Sequence, residues 1–340
     1  MNGRLAQREP VPATLSLNMS ISLTSRSAPA ATERALMSRL ADHLERVIRG
    51  KREAVELVIC AVAAGGHVLL EDVPGTGKTT LAKVLASGIG GAFKRVQFTP
   101  DLLPTDIIGS SIFLPQEGQF RFRPGPLFAN VLIADEINRA SPRTQSALLE
   151  ALSEAQVTVD GETHKLAPPF LCLATQNPVE FHGTYPLPEA SLDRFAVQLS
   201  LGYLPEDEER ALLMTRSGPP PLEDLRPVCS LEEMARLQAR VQEVRLEESV
   251  ADYLLRLVQA TRGHPSLRLG VSTRGALLYG RMARSRALMQ GRDFVLPEDL
   301  KALAVPVLAH RLVLDTRARY AGSDKRVLMQ ELLGAVPVPR

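Results

Sequence analysis

Lys78 and Thr79 close the run Val73-Pro74-Gly75-Thr76-Gly77-Lys78-Thr79-Thr80, and that pairing of glycines, lysine and hydroxyls points to phosphate chemistry. A glycine-rich turn lets successive backbone N–H groups face one point, and a helix that starts there adds partial positive charge. Lys78 can then reach terminal phosphates, the Thr79 hydroxyl can ligand Mg²⁺, and residues 74–80 form the cradle. The strict G-x-x-x-x-G-K-[ST] pattern would begin with glycine at the position held by Asp72. Asp also tolerates turn conformations, so this departure bears on how the loop is entered. Further on, Val131-Leu-Ile-Ala-Asp-Glu136 is an apolar run ending in two carboxylates. Asp135 is suited to the metal that neutralises β- and γ-phosphate charge, and Glu136 to polarising an attacking water. An apolar run ending in Asp-Glu is common as a solvated strand end. Downstream of a phosphate loop, however, both acids fall beside the same phosphates. A third apolar run, from Phe170 to Thr175, ends in Gln176-Asn177-Pro178. Asn177 could orient the water or touch the γ-phosphate, although Asn-Pro alone is a turn signal.

These groups need strands that deliver them to one edge. His67 to Leu70 is an apolar run of strand length directly before the loop, and Leu81, Val84, Leu85 and Ile89 give the following helix a buried stripe. Four further runs read as parallel strands covered on both faces: Arg95 to Phe98, Asn130 to Ala134, Phe170 to Thr175 and Ala196 to Leu199. Helical patterns separate them, the clearest opening at Ser141-Pro142 and running through Leu148, Leu149 and Leu152. Such alternation predicts an α/β layer with its ligand at the carboxyl ends of the strands. Two stretches interrupt it as hairpins: Ile112 to Phe122, turning at Glu117-Gly118, and Gln156 to Leu166, turning at Asp160-Gly161. Upstream, Leu36, Leu40, Leu44, Val47 and Ile48 form one face of a helix ending at Gly50, and Val55, Val58, Ile59 and Val62 mark a second.

After residue 205 the strand signal fades and helices follow, over Asp207 to Thr215, Ser230 to Val244, Ser249 to Thr261, Thr273 to Gln290, Pro297 to His310 and Asp324 to Leu333. Ser230 and Glu233 have capping-box spacing. Ser217 to Pro221 reads as a stiff connector, and residues 1–31, rich in Ser, Ala, Pro and Arg, as a flexible tail despite the alternation from Leu15 to Leu23.

Composition narrows the function. Forty basic against thirty-eight acidic residues leave a net charge of +2, which gives no argument for nucleic acid or an anionic membrane. No apolar run is long enough to span a bilayer. Cys60, Cys172 and Cys229 read as reduced thiols of a cytoplasmic protein, and the six histidines, lacking ligand spacing, as surface or half-buried groups. Phe120-Arg-Phe-Arg123 could stack bases, but period-two alternation on a hairpin with one solvated face explains it equally well, and that solvated-edge reading is preferred.

In combination, Val73 to Thr79, Asp135 to Pro142, Ala174 to Pro178 and Tyr185-Pro-Leu-Pro-Glu-Ala-Ser-Leu-Asp-Arg-Phe195 resemble the MoxR family of AAA+ ATPases, in the helix-2-insert, magnesium-chelatase-like group. The resemblance runs from Thr32 to the Ala335-Val-Pro-Val-Pro339 tail. It implies an AAA+ P-loop parallel-sheet α/β domain over 32–204 with two inserted hairpins, then a smaller all-helical lid over 205–340. It also implies ATP and Mg²⁺ as cofactors, hydrolysis, and assembly into a homo-oligomeric ring, often a hexamer. Asn177 matches the sensor-1 position, and Arg194 the arginine that reaches a neighbouring subunit's γ-phosphate. Arg274 matches the sensor-2 arginine, with Thr273 standing where the family more often has Pro. Ile48 and Gly50 fall in the segment that packs on the adenine. Arg143, Arg281 and Arg284 read as surface charges, and Arg139 stays open. The family's clients imply a chaperone or remodeller that assembles or matures partner complexes, often with von Willebrand A-type partners. A nucleic-acid motor, a non-enzymatic nucleotide switch and a metal-chelatase subunit are the alternatives.

Overall fold

The computed structural model describes residues 28–177, 184–214 and 225–339. Its centre is a five-stranded parallel sheet of β1 (His67–Glu71), β2 (Phe93–Gln97), β5 (Val131–Asp135), β8 (Leu171–Gln176) and β9 (Phe195–Leu199), in the order β2-β5-β8-β1-β9. Period-two alternation sends successive side chains to opposite faces. Val68, Leu70, Ile133 and Leu173 enter one core, while Leu69, Leu132, Ala134 and Cys172 enter the other. Four of the five strands are buried runs, as expected. β2 is not: it is one of the two edge strands, and only Val96 within it is buried, whereas β9 at the other edge is covered. Arg95 and Gln97, facing away from Val96, turn to the cleft described below.

The first core is roofed by α1 (Ala28–Glu45), α2 (Arg52–Ala63) and α3 (Lys78–Gly88). α1 opens at Ala28, ahead of the expected Thr32. α4 (Pro104–Ile108) and α5 (Pro142–Glu154) cover the second core. Ser141 caps α5, its hydroxyl accepting from the Thr144 N–H at 3.3 Å.

Both hairpins form: β3 (Gly109–Leu114) with β4 (Gln119–Pro124), and β6 (Gln156–Val159) with β7 (Glu162–Lys165). Asp160 and Gly161 both take positive φ, 52° and 84°, as a two-residue turn matched to strand twist requires. Phe122 stacks on His164 with ring centroids 4.0 Å apart, joining the two hairpins. At the first tip Phe113 pairs with Phe120 at 5.3 Å, yet they remain 52% and 72% exposed. The Phe/Arg alternation is thus packed only at Phe122.

After β9 the chain is helical: α6 (Glu189–Leu192) precedes that strand, and α7 (Glu206–Met214), α8 (Leu231–Glu243), α9 (Glu248–Arg262), α10 (Thr273–Met289), α11 (Pro297–Leu308), α12 (Thr316–Tyr320) and α13 (Lys325–Ala335) follow it. Ser230 and Glu233 form the predicted capping box at 2.8 and 3.2 Å. A small antiparallel ribbon, β10 (Leu267–Leu269) with β11 (Val313–Leu314), carried no legible strand signal. α10 packs against α1 and α2, and α11 against α10 and β9, so residues such as Tyr279 and Leu300 share the core of Val68 and Leu70. The connector Ser217 to Pro221 and the alternation from Leu15 to Leu23 lie outside the described residues.

Histidines differ from expectation: His43, His67 and His310 are buried. His67 Nε2 donates to the Leu152 carbonyl at 3.0 Å and Nδ1 accepts from the Cys172 N–H at 3.1 Å, so the ring is neutral and burial pulls its pKa down to about 4. Cys60, Cys172 and Cys229 are free and buried, and burial raises the first two thiols to about 12.

Candidate nucleotide site

β1 delivers the chain into loop 72–77, and α3 begins at Lys78. Gly75 and Gly77 adopt φ of 85° and 89°, a region that favours glycine, and Gly77 sits directly at the helix start. Lys78 Nζ donates to the Val73 and Asp72 carbonyls at 2.7 and 3.0 Å and so lies along the loop. Asp72 explains its own departure from the glycine pattern. Its buried carboxylate accepts from Ser200 Oγ at 2.8 Å, from the Gly202 N–H at 3.0 Å and from the Leu201 N–H. A glycine here would leave the loop untied from the connector that follows β9.

A cleft of about 400 Å³ opens over this loop. Residues 74–80 line one side, and Arg95, Gln97, Asp135, Glu136, Thr175, Gln176 and Asn177 line the other. The carboxyl ends of β2, β5 and β8 therefore converge on the loop as the alternation pattern predicted.

The two carboxylates are held differently. Asp135 is buried; its Oδ1 accepts from Thr175 Oγ1 at 2.6 Å and its Oδ2 from Arg95 Nη2 at 2.7 Å and Nε at 3.1 Å. Glu136 takes φ 56°, a left-handed conformation costing a non-glycine residue about 1–3 kcal/mol. Its N–H donates to Thr175 Oγ1 at 2.8 Å, while Oε2 accepts from Gln97 Nε2 at 2.7 Å and Arg139 Nη1 at 3.1 Å. Arg139 is thereby an ion-pair partner of Glu136. Among the described residues no cluster of three or more His, Cys, Asp or Glu side chains could hold a metal. The Thr79 hydroxyl and Asp135 carboxylate, oxygen donors on facing walls, fit a Mg²⁺ ion that takes further ligands from phosphate and water.

Ile48 lies beside the loop without lining the cleft, and Gly50 is not among the cleft residues. Ile48 Cδ1 lies 3.6 Å from where a Cβ on Gly77 would stand, and Gly50 packs on Pro205.

Arg194 and Arg274 are not in the cleft. Arg194 Nε donates to Ser153 Oγ at 2.7 Å and the Leu149 carbonyl at 3.2 Å, and Nη1 donates to the Ala190 carbonyl. Its pKa is lowered, first by burial and then by the neighbouring Arg274. Asp193 brings these two cations together. Its Oδ2 accepts from Ser272 Oγ, the cap of α10, at 2.8 Å, and its Oδ1 accepts from Arg311 Nε at 3.1 Å. Arg311 is buried and also donates to the Phe195 carbonyl at 2.5 Å; burial brings its pKa down to about 10, against the pull of Asp193.

Sequence reasoning passed over Arg95, Gln97, Thr175, Asp193 and Arg311. For Arg95 and Gln97 the signal existed: polar residues alternating with Val96 and Phe98 mark an open strand face. For Asp193 and Arg311, 118 positions apart, no local pattern exists. The surface reading of Arg284 and Arg281 also needs correcting. Arg284 Nε donates to the Val244 carbonyl just past α8 at 3.0 Å, and Arg281 is partly buried, which lowers its pKa. Arg143 is exposed, as expected.

Comparison with known proteins agrees with this geometry. Residues 67–197 match the ATPase family associated with various cellular activities (AAA), and residues 259–332 match the AAA lid domain. The uncharacterized protein YeaC of Bacillus subtilis (strain 168) is 49% identical over 89% of this chain and 95% of its own length. Chaperone MoxR1 of Mycobacterium tuberculosis is 39% identical over 91% of this chain and 84% of its own. A crystal structure of a presumed ATPase from Cytophaga hutchinsonii superposes with a TM-score of 0.84 at 36% identity, covering 92% of this chain and 97% of that one.

Proposed function

The chain belongs to the MoxR family of AAA+ ATPases, and from that membership we propose an Mg²⁺-dependent ATPase that works as a ring, each site completed by a neighbouring copy. The observation that carries this reading is the division of charges. The cleft holds the phosphate cradle and both carboxylates, whereas Arg194 and Arg274 sit together elsewhere. Burial and the neighbouring Arg274 lower the Arg194 pKa although Asp193 pulls the other way, so positive charge is in excess there, and a neighbour's γ-phosphate would offset it.

When bound, Mg²⁺ would neutralise β- and γ-phosphate charge between Thr79 and Asp135. Lys78 would turn from the carbonyls of the loop to the phosphates, and Asn177 and Glu136 would orient and polarise the attacking water. Ile48 and Gly50 would border the adenine. Hydrolysis would then move the helical lid and the paired hairpins against a client. The name of the chaperone relative supports a role in assembling or maturing partner proteins, with von Willebrand A-type domains as the partner class the family implies. Among the described residues no helix is long and apolar enough to cross a membrane. The three free, buried cysteines suit a reducing compartment, and on that ground we place the activity in the cytoplasm.

The test is Glu136→Gln. Nucleotide should still bind while turnover falls at least about a hundredfold, the lower range for loss of a general base. Turnover within a factor of two of the unaltered protein would remove Glu136 from the mechanism.

A further inference from the structure

One oxygen of Asp135, the carboxylate proposed to hold the metal, already has a cation on it. Oδ2 accepts two donors from Arg95, at 2.7 and 3.1 Å, on the cleft side of an edge strand. The same Nη2 donates to Gln97 Oε1 at 2.8 Å, and Gln97 Nε2 donates to Glu136 Oε2 at 2.7 Å. One hydrogen-bonded chain therefore runs from the metal carboxylate to the water-activating carboxylate, through two alternate residues of β2.

Resting on the ATPase reading above, we propose that Arg95 is a resident counter-cation that must leave Asp135 for Mg²⁺ to bind. Its departure frees Oδ2 of Asp135 and unties Gln97 from Arg95, which loosens Glu136 on that side while Arg139 stays its ion-pair partner. Mg²⁺ requires a near-octahedral oxygen shell at short distance, and an oxygen shared by two guanidinium nitrogens cannot give its lone pairs to both cations. The pair is also of the exchangeable kind. Arg95 is 49% exposed beside an Asp135 side chain that is 11% exposed, so solvent screens their attraction in part, whereas Arg292 and Asp299 are 22% and 3% exposed and form a bidentate pair. A displaced Arg95 remains within a cleft built for phosphate, and phosphate oxygens are as good a partner for its planar fork as the carboxylate it leaves.

The experiment measures binding of fluorescent ADP, which is not turned over, to the full chain while Mg²⁺ is titrated. In Arg95→Ala the Mg²⁺ concentration that gives half of the metal-dependent binding change should fall about two- to fivefold, the size an ion pair screened from its arginine side permits. Arg95→Gln, which keeps bulk and hydrogen bonding without charge, should fall likewise, and Arg95→Lys should lie between it and the unaltered protein. An unchanged or raised requirement in both neutral variants would overturn the proposal and make Arg95 a support that shapes Asp135. If the unaltered protein bound no ADP with or without Mg²⁺, the ATPase reading itself would fail; ADP binding that Mg²⁺ does not change, or changes alike in the variants, would sink only the exchange.

Discussion

The cleft above α3 and the corner where α6 meets α10 both carry charge suited to a nucleotide, but they are built in opposite ways. In the cleft, cation and anion alternate within hydrogen-bonding distance: Arg95 on Asp135, and Gln97 and Arg139 on Glu136. At the corner, Arg194 and Arg274 stand as like charges, and the nearby carboxylate of Asp193 is taken up by Arg311 and Ser272. A self-satisfied cleft can persist alone at little electrostatic cost. A corner with surplus positive charge is more stable when something anionic is set against it. The comparison teaches that oxygen donors and surplus guanidinium are kept apart within a single copy, and on the proposed function they are two half-sites that a neighbouring copy brings together.

The largest effect that would sharpen this contrast is on turnover. Arg194→Ala should reduce the rate of ATP hydrolysis by about 10³-fold or more while leaving nucleotide affinity within a few-fold, as expected of an arginine acting on transferring phosphate. Steady-state hydrolysis beside equilibrium binding checks it, and a parallel loss of affinity would put Arg194 in the binding half instead. Next is the anchor of the corner. Asp193→Ala leaves the buried Arg311 without its carboxylate and should cost about 3 kcal/mol of stability, read by denaturant unfolding. Loss of less than about 1 kcal/mol would mean the Phe195 and Val307 carbonyls suffice for Arg311.

On the cleft side, Asp72→Ala removes three hydrogen bonds to the connector and should cost about 2 kcal/mol, with weaker nucleotide binding because the loop entry loosens. Acid should act on the core beneath the cleft. His67 has a folded pKa of about 4 against an unfolded value near 6.5, so between these values the unfolded chain binds more protons. Stability is therefore lost as pH falls through that window, by roughly 1–2 kcal/mol at pH 5 from this residue. Denaturant midpoints at pH 7 and 5 should show the loss, and His67→Asn should flatten it. The smallest effect is at the hairpin tip: Phe120→Ser should change stability by less than about 0.5 kcal/mol, because the ring is mostly exposed.

How far each half was legible follows from how local its determinants are. The cleft is made by contiguous runs, each a strand that ends in its functional residues, so 73–80, 131–136 and 170–177 announced both the fold and the site. Both hairpins were legible for the same reason, since Asp160-Gly161 and Glu117-Gly118 carry the turn chemistry themselves. β2 was misjudged as a covered strand because a short run of apolar and polar residues does not reveal that one of its faces is left open to the cleft, while β9, the other edge strand, is covered. The meeting of Arg194 with Arg274 depends on Asp193 reaching Ser272 and Arg311, contacts between distant segments that only tertiary packing creates. The ribbon β10–β11 is too short to leave a periodic signal, and the burial of His43, His67 and His310 reflects neighbours that no spacing rule specifies.

Mixing two inactive variants tests the division most directly. Lys78→Ala copies keep the arginine corner but lose the cradle, and Arg194→Ala copies keep the cradle but lose the finger. Co-assembled in equal amounts, they should recover hydrolysis at the roughly one interface in four that pairs an intact cleft with an intact corner. A mixture as inactive as either parent, under conditions where the two demonstrably assemble together, would contradict a site completed by a second copy.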